Sequence, residues 1–213
     1  MGRATWHAFS FGPVYDPEWV GFGPMTCHDE HLLAAGAGFP DHAHADLEIV
    51  SWVVSGALRH TDSLGHSAVL TPGQVGHLRA GSGVIHSEVA TAPQTRFVQA
   101  WLLPEEYDVE PAYSSHTVAS SSLSPALTIG GAALFVSTLA NGESVTLPTA
   151  PLVHVFVASG ALLRNSLAEP LAAGDAFLMT DEPAASVTAA LDTTLLVWAL
   201  GLGARPAGPL SEV

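Results

Sequence analysis

The sequence predicts an all-β fold, a sandwich or barrel, arranged as two units of similar size. Three observations carry this. Short apolar or β-branched runs closed by Gly, Pro, Asn or Asp recur at close spacing along the 213 residues. No long segment keeps apolar residues at 3.6-residue spacing between caps, so helix signals are weak. A faint internal repeat relates the two halves.

In chain order, strands are expected at Leu47 to Val54, Ala57 to Thr61, Val69 to Leu70 before the Pro72-Gly73 turn, Gly76 to Arg79, and Arg96 to Leu103. The first copy of the repeat reads Val54-Ser55-Gly56-Ala57-Leu58-Arg59, then Thr71-Pro72-Gly73-Gln74-Val75. The second reads Ala158-Ser159-Gly160-Ala161-Leu162-Leu163-Arg164, then Ala172-Ala173-Gly174-Asp175-Ala176. The units are expected at residues 1–110 and 111–213, with Glu105 to Ser124, rich in Ser, Pro and acidic residues, as the connection.

Composition narrows the function. Six Lys+Arg against twenty Asp+Glu give a net charge of −14. There is no lysine, and Arg3, Arg59, Arg79, Arg96, Arg164 and Arg205 are scattered singly. No basic face exists to neutralise phosphates, so direct nucleic-acid binding is not expected. Schiff-base and P-loop lysine chemistry are excluded. Charged residues are 12% and apolar ones 48%, the opposite of a disordered chain. The single cysteine, Cys27, allows no intrachain disulfide, and no basic and apolar leader opens the chain. No uncharged stretch is apolar enough to span a membrane. A soluble, cytoplasmic protein is expected.

The chemistry concentrates in the first unit. His42-Ala43-His44 precedes one expected strand, and His86-Ser87-Glu88 follows the turn Gly81-Ser82-Gly83. Residues two apart on a strand point to the same face. Two such strands side by side converge three imidazoles and one carboxylate, a donor set suited to Fe, Mn, Co, Ni, Cu or Zn. A metal preferring five or six partners keeps open positions there, the mark of a catalytic site. Glu48 shares strand parity with His42 and His44 and is a further candidate ligand or hydrogen-bond acceptor. The remaining histidines lack this spacing and read as surface or satisfied groups. Trp6, Trp19, Trp52, Trp101 and Trp198 read as core or barrel-rim residues, Gly81-Ser82-Gly83 as a turn, and Cys27 as a small apolar residue.

At these residues the sequence resembles known families. Gly36, His42, His44 and Glu48, in that spacing, resemble the first motif of the cupin barrels. More closely, Trp6-His7-Ala8-Phe9-Ser10-Phe11, Tyr15-Asp16-Pro17, Gly21-Phe22-Gly23, the stretch Gly38-Phe39 to Val54, Asp62-Ser63-Leu64-Gly65, the run Ala80 to Glu88 and Gln99-Ala100-Trp101-Leu102-Leu103-Pro104 resemble the pirin family in order and spacing.

The resemblance implies two cupin-type β-barrels, the first holding one divalent transition metal, with iron the first expectation. By motif match the metal ligands are His42, His44, His86 and Glu88, which makes Glu48 the weaker candidate. Bacterial members are described as quercetin 2,3-dioxygenases, which open the central ring of a flavonol with dioxygen and release carbon monoxide. Eukaryotic members are linked to transcriptional co-regulation. The expected partners are therefore a small aromatic substrate and dioxygen, with a protein partner under the regulatory reading and no direct nucleic acid or membrane. Glu88, with one oxygen on the metal, is expected to accept the substrate's hydroxyl proton as a general base. A metal-dependent binding protein without turnover and a non-oxidative cupin enzyme are the alternatives.

Three positions depart from the family pattern: Ala43 where Pro is usual, Ala45 where a basic residue is usual, and His66 where Asn is usual. Applying the repeat offset to the ligands lands on Thr146, Pro148, Val187 and Ala189, so no metal site is expected in the second barrel.

Overall fold

A computed structural model of the protein describes residues 2–10, 15–118, 125–165 and 169–202. Phe11 of the aromatic motif, Arg205, positions 119–124 of the expected connection and the end of the second unit from 203 lie outside the described residues. Among the described residues there are strands and no helix.

The first half carries β1 (Arg3–His7), β2 (Met25–Leu33), β3 (Gly38–His44), β4 (Glu48–Ser55), β5 (Leu58–Asp62), β6 (Ser67–Leu70), β7 (Gln74–Arg79), β8 (Val84–Ala90), β9 (Thr95–Leu102) and β10 (Ala112–Thr117). The second carries β11 (Leu127–Ile129), β12 (Ala132–Leu139), β13 (Ser144–Thr146), β14 (Leu152–Ser159), β15 (Ala161–Leu162), β16 (Leu171–Ala172), β17 (Ala176–Thr180), β18 (Ser186–Thr188) and β19 (Thr193–Leu200).

A six-stranded sheet, β1-β2-β9-β4-β7-β10, and a four-stranded sheet, β3-β8-β5-β6, form the first barrel. The second repeats the plan with the sheet β11-β12-β19-β14-β17 and the short ladders β13-β18 and β15-β16. The strand β10 lies past residue 110, yet all six of its residues pair with β7, so the first sheet continues beyond the expected boundary.

The repeat read from sequence has a structural cause. Gly56 and Gly160 each follow an irregularity in the pairing of β4 with β9 and of β14 with β19. Both take positive φ, 79° and 83°. A Cβ on either glycine would lie 2.7 Å from the Cα of Thr95 or Thr193, so only glycine fits. Each threonine hydroxyl in turn donates to the carbonyl after its glycine, Thr95 to Ala57 at 3.1 Å and Thr193 to Ala161 at 2.9 Å.

The two barrels meet through the outer faces of their large sheets. Residues Glu48 to Val53 of β4 are buried without alternation because both faces of the strand are covered. Ile49 and Val53 point into the first barrel, while Val50 and Trp52 join a core shared with Leu134, Phe156, Leu196 and Trp198 of the second. Arg96 pairs with Glu30 and reaches across to the Ala158 carbonyl at 2.8 Å. The buried rings of His28 and His154 also approach each other here, with centroids 4.3 Å apart. Trp52 and Trp198 are core residues, whereas Trp6 and Trp19 are exposed. Burial beside Asp29 pushes the Cys27 thiol pKa up, which fits an unreactive, space-filling role.

Candidate metal centre

Strand β3 supplies His42 and His44, and its antiparallel neighbour β8 supplies His86, with His42 directly opposite His86. The pleat turns the two β3 histidines to one side. One ring nitrogen from each of the three lies within 4.8 Å of the others. The ring centroids are 4.3 Å apart for His42 and His86, 4.9 Å for His42 and His44, and 5.2 Å for His44 and His86.

The three imidazoles are prepared to donate lone pairs. His42 Nδ1 lies 2.8 Å from the Pro40 carbonyl, which can only accept, so Nδ1 carries the proton and Nε2 is left with its lone pair. The Nε2 atom of His44 and both ring nitrogens of His86 are buried without hydrogen-bond partners. Burial, followed by the neighbouring His42, His44 and His60, pushes the His86 pKa down to about 3. Burial and His42 likewise lower that of His44. Three imidazoles converging on one point, with buried and unpartnered nitrogens at His44 and His86, fit a divalent transition metal.

Glu88 stands apart from this group. Its side chain is buried, with Oε1 accepting from the Ser51 hydroxyl at 3.0 Å and Oε2 from Gln99 Nε2 at 2.7 Å. Trp101 Nε1 donates to Gln99 Oε1 at 2.8 Å, and the Trp101 ring lies 5.0 Å from that of His44. The structure thus brings together three of the four expected ligands and holds the β8 carboxylate through Ser51 of β4 and Gln99 of β9. Ser51, Gln99 and Trp101 were not expected at the site: Gln99 and Trp101 entered only within a family motif, Trp101 also as a core or barrel-rim residue, although Ser51 and Gln99 left a trace as polar residues inside apolar runs.

Glu48 is not at the site. The chain turns at Asp46, whose φ is 52°, and Glu48 opens a new strand with its side chain on the opposite face, where it meets His77 Nε2 at 2.5 Å. His60 is stacked on Tyr113 at 3.8 Å and bonds Asp62 at 3.0 Å, and His66 bonds the same carboxylate. Burial works to raise the Asp62 pKa, but the hydrogen bonds from His60 and His66 outweigh it and leave it lowered.

Beside His86, the residues His60, Glu88 and Tyr113 border a small cavity of about 10 Å³, room for one water molecule. The approach from solvent is the side of His42 and His44, both only partly buried.

In the second barrel the equivalent positions differ from those the repeat offset gave. Ala90 N bonds the Ala37 carbonyl and Ala189 N that of Glu143, so Ala189 corresponds to Ala90. Counting back along β18 puts Val187 at the place of Glu88 and Ala185 at that of His86. A bulge in β3 between Phe39 and His42 is lacking in β13, which puts Leu147, bonded to Ala185, at the place of His42. Loops of unequal length and this bulge explain the displacement from Thr146, Pro148 and Ala189. The trio Ser51, Gln99 and Glu88 becomes Val155, Val197 and Val187, all buried.

Comparison with known proteins agrees with this architecture. The pirin family profile matches residues 2–102. A Mycobacterium tuberculosis (strain H37Rv) protein named "Putative quercetin 2,3-dioxygenase Rv0181c" is 38% identical over 211 residues, covering 90% of this chain and 86% of that protein. The protein named quercetin 2,3-dioxygenase of Escherichia coli K12 is 35% identical over 111 residues, 51% of this chain and 48% of its own. The crystal structure of the Escherichia coli bacterial pirin YhhW in complex with nickel(II) superposes with a TM-score of 0.83 at 27% identity, covering 93% of this chain and 91% of that one. Among the described residues no helix is long and apolar enough to cross a membrane. Two cupin barrels, one set of converging imidazoles and a relative matched along nine-tenths of the sequence lead to one assignment: the chain belongs to the pirin family.

Proposed function

We propose that the first barrel, extended through β10, holds one divalent transition metal on His42, His44 and His86 with Glu88 as the fourth ligand. On this reading the protein is a cytoplasmic dioxygenase that opens the central ring of a flavonol such as quercetin. The carrying observation is the convergence of three imidazoles, with buried, unpartnered nitrogens and lowered pKa values at His44 and His86. The names of the related proteins from Mycobacterium tuberculosis and Escherichia coli support the substrate class, and the nickel-bound pirin supports the metal. Iron is the first expectation for the resident ion, with Mn, Co, Ni, Cu and Zn compatible with the same donors.

When bound, the metal supplies Lewis acidity toward the substrate's hydroxyl and a meeting point for dioxygen. The chain's own residues do the rest. Ser51 and Gln99 each donate to one oxygen of the Glu88 carboxylate and so fix its position beside His86, where it would complete the donor set begun by the three imidazoles. Glu88 then accepts the hydroxyl proton as general base. A flavonol enters from the partly buried side of His42 and His44, since the inner cavity of about 10 Å³ excludes it.

That small cavity also favours a second reading, a metal-dependent binding protein without turnover. Metal content by elemental analysis with oxygen uptake on quercetin separates the two. Near-stoichiometric metal with uptake lost in His42→Ala is the expected result. Metal without uptake overturns the dioxygenase, and no metal after reconstitution overturns the site.

A further inference from the structure

The second barrel is not filled. A cavity of about 220 Å³ lies at its mouth, lined by Phe135, Ser137, Val145, Leu147 and Val197, with Thr146 at its exposed rim. Its cause is visible in the repeat. Ser137 pairs with Leu195 as His31 pairs with Phe97, and Val145 pairs with Val187 as Phe39 pairs with Glu88. In the first barrel the rings of His31 and Phe39 occupy this space, their centroids 4.9 Å apart. In the second, two rings have become a hydroxymethyl and an isopropyl group. The lining carries no charge, Phe135 offers a half-buried ring, and Ser137, only 4% exposed, is the buried polar side chain at the wall.

We propose that this cavity is a binding site for a small, uncharged, single-ring aromatic molecule, seated where the first barrel places its own His31 and Phe39. The Ser137 hydroxyl meets one polar substituent on that ring. Apolar cavities of about 150 Å³ accept benzene, so one substituted ring fits. A three-ring flavonol needs a pocket of about 300 Å³ or more and does not. The site is independent of the metal centre, which lies in the other barrel.

The test is titration of the full-length protein with phenol, followed by methyl NMR. Saturable shifts of the Val145, Leu147 and Val197 methyls are expected, unchanged by His42→Ala. Val145→Phe rebuilds one missing ring; it abolishes the shifts and keeps or raises the Tm, because it fills space already present. Ser137→Ala weakens phenol about fivefold, the loss of one hydrogen bond, and leaves benzene unaffected. Benzoate binds about tenfold or more weakly, since its charge finds no partner. Ser137→Leu fills the cavity from the other strand and is read in the same way should Val145→Phe not fold. The absence of saturable shifts, their persistence in both filling variants, or cyclohexane binding as tightly as benzene overturns the proposal.

Discussion

The interface between the barrels makes a quantitative prediction about acid. His154 is 1% exposed, and burial pushes its pKa down to about 4 from an ordinary 6.5. It is therefore neutral in the folded protein at any pH above about 4, whereas the unfolded chain takes up a proton as pH falls below 6.5. The unfolded state binds more protons throughout that window, so the stability contributed by neutral His154 is complete above pH 6.5 and drains away as pH falls toward 4. Well inside that window each pH unit removes roughly 1 kcal/mol, so the fall from 6.5 to 4 removes about 3 kcal/mol. His154→Leu removes the titrating group at similar volume, and Nδ1 makes no hydrogen bond that would be lost. Urea unfolding at several pH values between about 4.5 and 7, with chelator present to keep metal linkage out, measures the slope. Below pH 6.5 the wild-type slope is expected to exceed that of His154→Leu by roughly 1 kcal/mol per pH unit. His31, held at about 4 mainly by burial, and His28, lowered by burial and by His154, keep the variant acid-sensitive. Parallel profiles for the two proteins would refute the argument, because they would mean that His154 already shares its proton with water in the native state.

Four further outcomes follow from the site and the turns. His86→Ala removes the most buried imidazole of the three and is expected to abolish stoichiometric metal binding, checked by elemental analysis after dialysis. Gln99→Leu takes away one donor to Glu88 and strands Trp101 Nε1; metal affinity by competition titration is expected to fall about 10- to 100-fold, with the metal-free protein weakened by about 2 to 4 kcal/mol. Gly160→Ala forces both positive φ and a clash with Thr193, and is expected to lose about 2 kcal/mol or more in urea unfolding. Gly142→Ala, at similar φ but with nothing within 4 Å, is expected to lose only about 1 kcal/mol.

What the sequence by itself determined is local. The apolar runs became β4, β5, β7 and β9 within a residue or two of their expected ends, and the Ser-Gly-Ala-Leu repeat marked two turns that only glycine can make. His42 and His44 were expected to share a face, and they do, because residues two apart on a strand always do. What crosses between strands was not legible. Glu48 keeps the parity of His42 and His44, yet the left-handed turn at Asp46 sends it to the opposite face. Ser51 and Gln99 lie 37 and 11 residues from Glu88, and only strand pairing brings them to its carboxylate. The second barrel's equivalents moved because one bulge and unequal loops shift the register. Side-chain direction along one strand follows from chirality and the pleat, so it can be read from spacing. Which strands meet, and in what register, depends on burial summed over both sheets and on the core shared by two barrels, and that is decided only when the whole chain has folded.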